Sequence, residues 1–565
     1  MNIFLSKMFI FVIGYVNIVN SASLISSDPR HGTVRNSNIP LVDDCALRAF
    51  TVEMAAYIQP NASRSNWTAL SESALQMNEC HDQSYRVQKS SNTRKSFETL
   101  QTTKNSDCFR TIFVQDSMGN DLFDGTLDRP LKTIPVALSL TRNLRLAHGN
   151  EIQLCIVIRG GTYYLGTNAT TNSSQIGAIS LTSNDSNLII ENYKDERVIL
   201  SGGILLQLQW SVYKKTSTGG TIMKALLPPN VKLSDFNELY IDGRRAIVAK
   251  YPNGDPATQG LYAKEPGFSF DAEFWWQPEH NRSQEIHIAE PFRNGTHFSH
   301  YQIGLNGGAS VFNPPSSFWS TARPYGNNNY VVPRGVIGKL HSLPHMSNWT
   351  KPTTGLVHVF HSLYWGSWVF EIASVHPMEK RIMFGRGGFQ EARGHRFGGP
   401  FYVANIFEEL DSPNEWFLDK DSRTLYFMPN GTMPNVFVAS QISCLISLRG
   451  NSIQEPVNNI SIRGLIFTET SNTYLRDYIV PSGGDWSVHR GGTIFLTNTT
   501  NVTVSENLFT ELGSNAVAVI EYNKDTLVTL NEFVWLADSA VILVGTTNGI
   551  DGFSVATQPT NIMIL

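Results

Sequence analysis

Three aspartates toward the C-terminal end carry the chemistry this chain could perform. Asp485 stands in Gly484-Asp-Trp-Ser-Val-His-Arg-Gly-Gly492, Asp538 just before Ala540-Val-Ile-Leu-Val544, and Asp551 in Gly545-Thr-Thr-Asn-Gly-Ile-Asp-Gly552. Two carboxyl groups suffice to cleave a glycosidic bond: one gives its proton to the leaving oxygen, and the other attacks the sugar carbon or activates a water. Their separation decides the outcome, about 5–5.5 Å for retention and about 6.5–9.5 Å for inversion. Asp538 is the leading candidate, paired with Asp551, with Asp485 or with an acid beyond residue 565; turning or capping a loop is the competing role for each. His489 and Arg490 offer donors to sugar hydroxyls, or else brace the Asp485 turn as an ion pair. Trp486 and Trp535, with Trp365 and Trp368, present ring faces to a sugar or fill core.

Such a pair needs a scaffold that stacks acids at a fixed rise, and residues 493–565 have its pattern. Asn501-Val-Thr-Val-Ser-Glu-Asn-Leu-Phe509 and Asp525-Thr-Leu-Val-Thr-Leu-Asn-Glu-Phe533 repeat with an offset of 24, so Phe509 falls on Phe533 and Asn507 on Asn531. Gly513-Ser-Asn-Ala-Val-Ala-Val-Ile520 falls on residues 537–544 with the same shift, and residues 490–496 add a copy at 23. Val, Ile and Leu alternating with small polar residues predict strands, and a period in this range marks a solenoid. The fold class expected is all-β, a parallel β-helix with two or three strands per coil. One coil step is about 4.8 Å and two are about 9.6 Å, so acids in one column meet either separation without a special loop. The column through Gly491, Ser514 and Asp538 holds one acid. The spacing restarts at Ile562 and Ile564 and then stops, which predicts a chain truncated inside a coil.

Ahead of this stretch, residues 1–22 combine Lys7, an apolar run over 8–19 and Asn20-Ser-Ala22, the parts of a secretory signal. They are too short to span a membrane, so no transmembrane segment is expected once the signal is removed. Twelve Asn-X-Ser/Thr sequons agree with export and a glycosylated surface. Residues 23–107 read as a small helical cap and a polar linker, 108–204 as the first part of the β-helix, 205–437 as a mostly antiparallel β insertion, and 438–565 as further coils. Residues 128–138, with an early proline, predict a capped helix, and Asp242-Gly243 a hairpin. Cys45, Cys80 and Cys108 form the first pool for disulfides, with Cys155 and Cys444 besides. A formal charge of −4 implies no nucleic-acid partner, and a monomer is expected. His358 and His361 lack a third ligand, and Gly385-Arg-Gly-Gly388 lacks the strand-to-helix context of a phosphate cradle, so neither metal nor cofactor is expected.

The order Leu239-Tyr-Ile-Asp-Gly-Arg-Arg-Ala246, Glu408-Glu-Leu-Asp-Ser-Pro-Asn-Glu-Trp-Phe-Leu-Asp419, Leu425-Tyr-Phe-Met-Pro429 and then coils resembles the right-handed, pectin-lyase-like parallel β-helix glycoside hydrolases that include α-L-fucosidases and xylanases. The resemblance covers roughly residue 109 to the end and implies paired acids on the helix face acting on a polysaccharide or glycan. A secreted glycoside hydrolase is the first expectation. A non-catalytic glycan-binding or structural extracellular protein is the second, and a polysaccharide lyase, for which only Arg490 is suitably placed, is the third. Fold alone does not separate them.

Overall fold

A computed structural model of the chain describes residues 108–564 except 170–171, 195, 217–218, 254–272, 279–330, 338–342, 361–366, 388–400, 477, 479–487 and 546–557. The expected signal, cap and linker, and with them Cys45 and Cys80, therefore lie outside the described residues. What is described is mostly β, with one α-helix of 15 residues, Ile134–His148. No helix among these residues is long and apolar enough to cross a membrane.

Three parallel sheets form the body. The first, seven strands wide, runs Arg110–Val114, Leu154–Ile158, Leu188–Asn192, Val457–Arg463, Thr499–Ser505, Asn523–Thr529 and Pro559–Ile564. The second begins at Gly161–Tyr164 and continues through Val198–Ser201, Leu465–Thr468, Leu508–Leu512 and Glu532–Leu536. The third comprises Ile179–Thr182, Ile446–Arg449, Ile494–Thr497, Val517–Ile520 and Val541–Val544. The chain visits third, first and second sheet in turn, and each visit pairs in parallel with the one before. Ile190, Ile462, Val504 and Val528 are partners in one such column, all buried.

Side chains at a fixed offset become vertical neighbours, and this is what locks the register. Phe467, Phe509 and Phe533 stack with centroids 4.9 Å apart and planes 10° apart at each step. Asn507, fully buried, donates through Nδ2 to Ile462 O at 3.1 Å and Asn531 Oδ1 at 3.0 Å, while its own Oδ1 accepts the Leu465 N–H at 3.0 Å. An amide left unpaired there would cost roughly 1–3 kcal/mol, and these three bonds meet both its donor and its acceptor. Another column takes positive φ at every step, with Asn187, Asn459, Asn501, Asp525 and Asn561 at 52–59°. Short polar side chains tolerate that conformation, and here Asn459 donates to Asn187 at 2.8 Å and Asn501 to Asn459 at 3.3 Å.

The body is interrupted but not broken. After Val198–Ser201 the chain leaves the three sheets and resumes them at Ile446, which pairs with Ile179 as if nothing intervened. The excursion makes three further sheets. These are antiparallel except where Ile247–Val248 meets Glu415–Asp419. Its hairpin Leu239–Ile241 to Arg244–Arg245 turns on Asp242 and Gly243, both at positive φ, the geometry of a two-residue turn whose twist matches its strands.

Two local expectations need adjusting. The helix begins at Ile134, not near 128, because the backbone of Leu131 pairs with Phe113 and Gln115; Pro135 is the early proline. Its buried face, Ile134, Ala137, Leu138 and Thr141, closes over the body's apolar core. Cys108 is bonded to Cys155, Cα atoms 5.9 Å apart, because the register that pairs Arg110 with Leu154 brings the two together. Cys444 is a buried free thiol.

Candidate functional site

The corner between the second and third sheets positions Asp538. Glu469, Glu511 and Trp535 end the successive second-sheet strands at φ of 58°, 54° and 60°, turning the chain at the same height in each circuit. The offset that pairs Phe467 with Phe509 carries Asn472 to Ser514, and the offset that pairs Val517 with Val541 carries Ser514 to Asp538. The corner is short at 513–516 but spans residues 473–491 in the preceding circuit, and Tyr478 from that stretch stands beside Asp538. Gly513 makes the close approach possible: a Cβ there would stand 2.3 Å from the Ser471 carbonyl carbon.

Asp538 is half-buried. It accepts the Tyr478 hydroxyl on Oδ2 at 3.1 Å and the Ser539 hydroxyl on Oδ1 at 3.2 Å. Burial pushes its carboxyl above the ordinary range, and the donors from Tyr478 and Ser539 only partly offset that. Burial and the Asp538 charge hold the Tyr478 phenol well above its own range, so it remains a donor. Ser539 N–H donates to Asn515 Oδ1 at 3.0 Å, and Asn515 Nδ2 donates to the carbonyls of His489 and Gly491 at 3.0 and 2.9 Å. The base of the site is thus a hydrogen-bonded frame, completed where Thr473 Oγ1 donates to Ser514 Oγ at 3.0 Å.

Of the other candidates, His489 is buried with its ring 5.3 Å from that of Tyr478. Arg490 Nη2 donates to Gly545 O at 2.5 Å, and Nη1 is 4.0 Å from Glu521 Oε1. Trp535 packs with Ile466, Leu508 and Val534 on the second sheet. Gly491 has no room for a side chain, since its Cβ would meet Ser174 at 2.5 Å. Asp485, Trp486 and Asp551 lie outside the described residues, as do Trp365 and His361. His358 stacks on Tyr402 with centroids 4.4 Å apart and stands edge-on to Tyr474. Burial, then the Lys250 charge, lowers its pKa to about 3, which keeps it neutral.

A second group of acids escaped the sequence reading. Glu469 and Glu511 share the Phe467/Phe509 offset of 42 and so stand one strand spacing apart, about 4.8 Å. Glu469 accepts from Ser201 Oγ at 2.5 Å, and burial together with the Glu511 charge raises its pKa. Glu511 accepts the Arg245 backbone N–H at 3.2 Å. Arg245 donates to Leu512 O at 2.7 Å and lies 3.6 Å from Glu238, which accepts from Asn472 Nδ2 at 2.8 Å. Burial raises the Glu238 pKa as well. The Asp242-Gly243 hairpin therefore sits on the body through a buried polar network that ends, via Asn472 and Thr473, beside the Asp538 corner. The 42-residue offset was the available signal, hidden by the long corner segment.

No protein-family model and no curated protein matches the chain. A solved structure described as a glycoside hydrolase is similar, with a TM-score of 0.50 and 17% identity over 79% of this chain and 69% of that one. Another, titled as the complex structure of XylC with xylose, has a TM-score of 0.29 and 10% identity over 76% of this chain and 51% of that one. The first likeness is one of fold: a mostly β chain with several parallel sheets.

Proposed function

We propose that the three parallel sheets are wound as a right-handed β-helix and that the chain is a secreted, glycosylated glycoside hydrolase. The reading rests on Asp538, an acid with a raised pKa at the corner between the second and third sheets, held by Tyr478 and Ser539. A carboxyl that keeps its proton can give it to the oxygen of a departing sugar, and afterwards take one from water. We assign the second carboxyl to Asp551, six residues beyond the carbonyl that Arg490 holds, with Asp485 as its alternate. Glu469 and Glu511 are assigned a supporting role, because each is buried and held by the body or the hairpin.

The lyase reading needs a basic group beside the acid to take a proton from the sugar. Arg490 is committed to the Gly545 carbonyl, and a guanidinium does not deprotonate in proteins. The test is incubation of the secreted protein with aryl fucosides and aryl xylosides. Product from wild type is the outcome expected, with Asp538→Asn slowed most on glycosides whose leaving alcohol must be protonated. Glycan retained without product would make this a binding protein instead.

A further inference from the structure

Within the excursion, three side chains from two segments converge. His345 Nδ1 is 3.1 Å from Glu409 Oε2, and one ligating atom from each of His345, Glu409 and Asp411 lies within 4.8 Å of the others. Glu409 is almost wholly buried, whereas His345 and Asp411 are partly open to solvent. Each group is also oriented from behind. Trp349 Nε1 donates to the far oxygen of Glu409 at 2.5 Å, Asn253 Nδ2 donates to Asp411 Oδ1 at 2.7 Å, and the Tyr251 ring stands edge-on to His345 at 5.7 Å.

Among the described residues, the carboxylates at this site outnumber the groups that can carry positive charge. Two carboxylates share one imidazole, and among the described residues no lysine or arginine forms an ion pair with either. A carboxylate removed from water costs several kcal/mol unless paired. An imidazole nitrogen with two carboxylate oxygens, held by outer hydrogen bonds, is the donor set that first-row divalent ions take. Bonds of about 2.0–2.2 Å put tetrahedral ligands about 3.3–3.6 Å apart. The His345–Glu409 pair, at 3.1 Å, needs to open by a few tenths of an ångström, and the Asp411 carboxylate already lies within 4.8 Å of both.

We propose that His345, Glu409 and Asp411 bind one divalent cation of the zinc or manganese type, tying the 409–411 segment to the loops that carry Asn253 and His345. The sequence pattern, which leads to no metal expectation, misses the set because its histidine lies 64 residues before Glu409 and outside any ligand spacing. The test uses the whole protein, stripped with chelator and dialysed, titrated separately with Zn²⁺ and Mn²⁺ by calorimetry and followed by thermal melting. One equivalent should bind for at least one of the two ions, with a rise in Tm. Asp411→Asn, which retains an oxygen for Asn253, and His345→Gln should each weaken binding at least tenfold while melting like the metal-free wild type. No binding by wild type, or equal binding by whichever variant folds, would overturn the proposal. Glycoside hydrolysis is a separate readout, so either result leaves the Asp538 reading to its own test.

Discussion

The Tyr478 hydroxyl donates to Asp538 Oδ2 at 3.1 Å, joining the corner segment of one circuit to the corner that lies two circuits further on. The bond favours the charged carboxylate, yet burial outweighs it and leaves Asp538 above its ordinary pKa. A proton donor tuned in this way has a kinetic signature. Asp538→Asn should lower kcat by about 10²–10⁴ on glycosides whose leaving alcohol must be protonated, and far less on nitrophenyl glycosides, whose leaving group departs unaided. An equal loss on both would show that Asp538 is not the acid.

Tyr478→Phe removes a donor that stabilises the ionised form of Asp538. The carboxyl pKa therefore rises further, and protonated acid persists to higher pH. The alkaline limb of the kcat/KM profile should shift upward, with the acid limb unmoved. A shift in the opposite direction would mean that the phenol acts on some other group.

His358 makes stability depend on acid. Its folded pKa, about 3, lies below the ordinary 6.5 because burial and Lys250 oppose its charge, with Tyr402 and Tyr474 as its ring neighbours. A histidine depressed on folding favours the native state fully above the unfolded value, and that stability is lost as pH falls from about 6.5 toward 3. The span corresponds to on the order of 5 kcal/mol. His358→Phe, which keeps a ring against Tyr402, should flatten urea-unfolding stability between pH 7 and pH 4. Parallel losses in both proteins would assign the acid sensitivity elsewhere.

The legible part of this molecule is the part where like side chains recur at one offset. Phe509 and Phe533 announced their contact because 24 residues separate both them and the Asn507/Asn531 pair, and they stack at 4.9 Å. Phe467 belongs to the same ladder but hid, since the long 473–491 corner stretches its offset to 42. Tyr478 sits inside that corner, where no periodicity applies, so nothing in its neighbours pointed to Asp538. The contact of Glu238 with Asn472, 234 residues apart, depends on how the hairpin docks, which alternation along a strand does not encode. Trp535, read either as a sugar platform or as core, shares the parity of Phe533, but its φ of 60° breaks the strand's two-residue period and it packs with Ile466 and Leu508 instead.

Gly513 links scaffold to site. Its Cβ would overlap the backbone of Ser471 and Asn472 at 2.3–2.4 Å, and backbone on both sides leaves nothing flexible to yield. Gly513→Ala should force the two circuits apart at the corner, lowering kcat together with Tm, although the residue touches no substrate. An alanine variant with unchanged turnover would mean that the Ser514 and Asp538 corner is not held by this approach.

The ladder itself sets the largest stability effect. Phe509 is fully buried between Phe467 and Phe533, whereas Phe533 is only partly buried with one stacked neighbour among the described residues. Phe509→Ala opens a cavity lined on both faces and should cost about 3–5 kcal/mol, with Phe533→Ala costing less because solvent already reaches its site. Asn507→Ala is a third case: no large volume is lost, but the Leu465 N–H and the Ile462 carbonyl lose their side-chain partner together, while Asn531 keeps the Asn507 N–H. With a penalty of about 1–3 kcal/mol for each buried group left unpaired, that small truncation should rival Phe509→Ala in denaturant midpoint. A cost for Asn507→Ala below that of Phe533→Ala would show that the aromatic stack alone, and not the amide, keeps successive circuits in register.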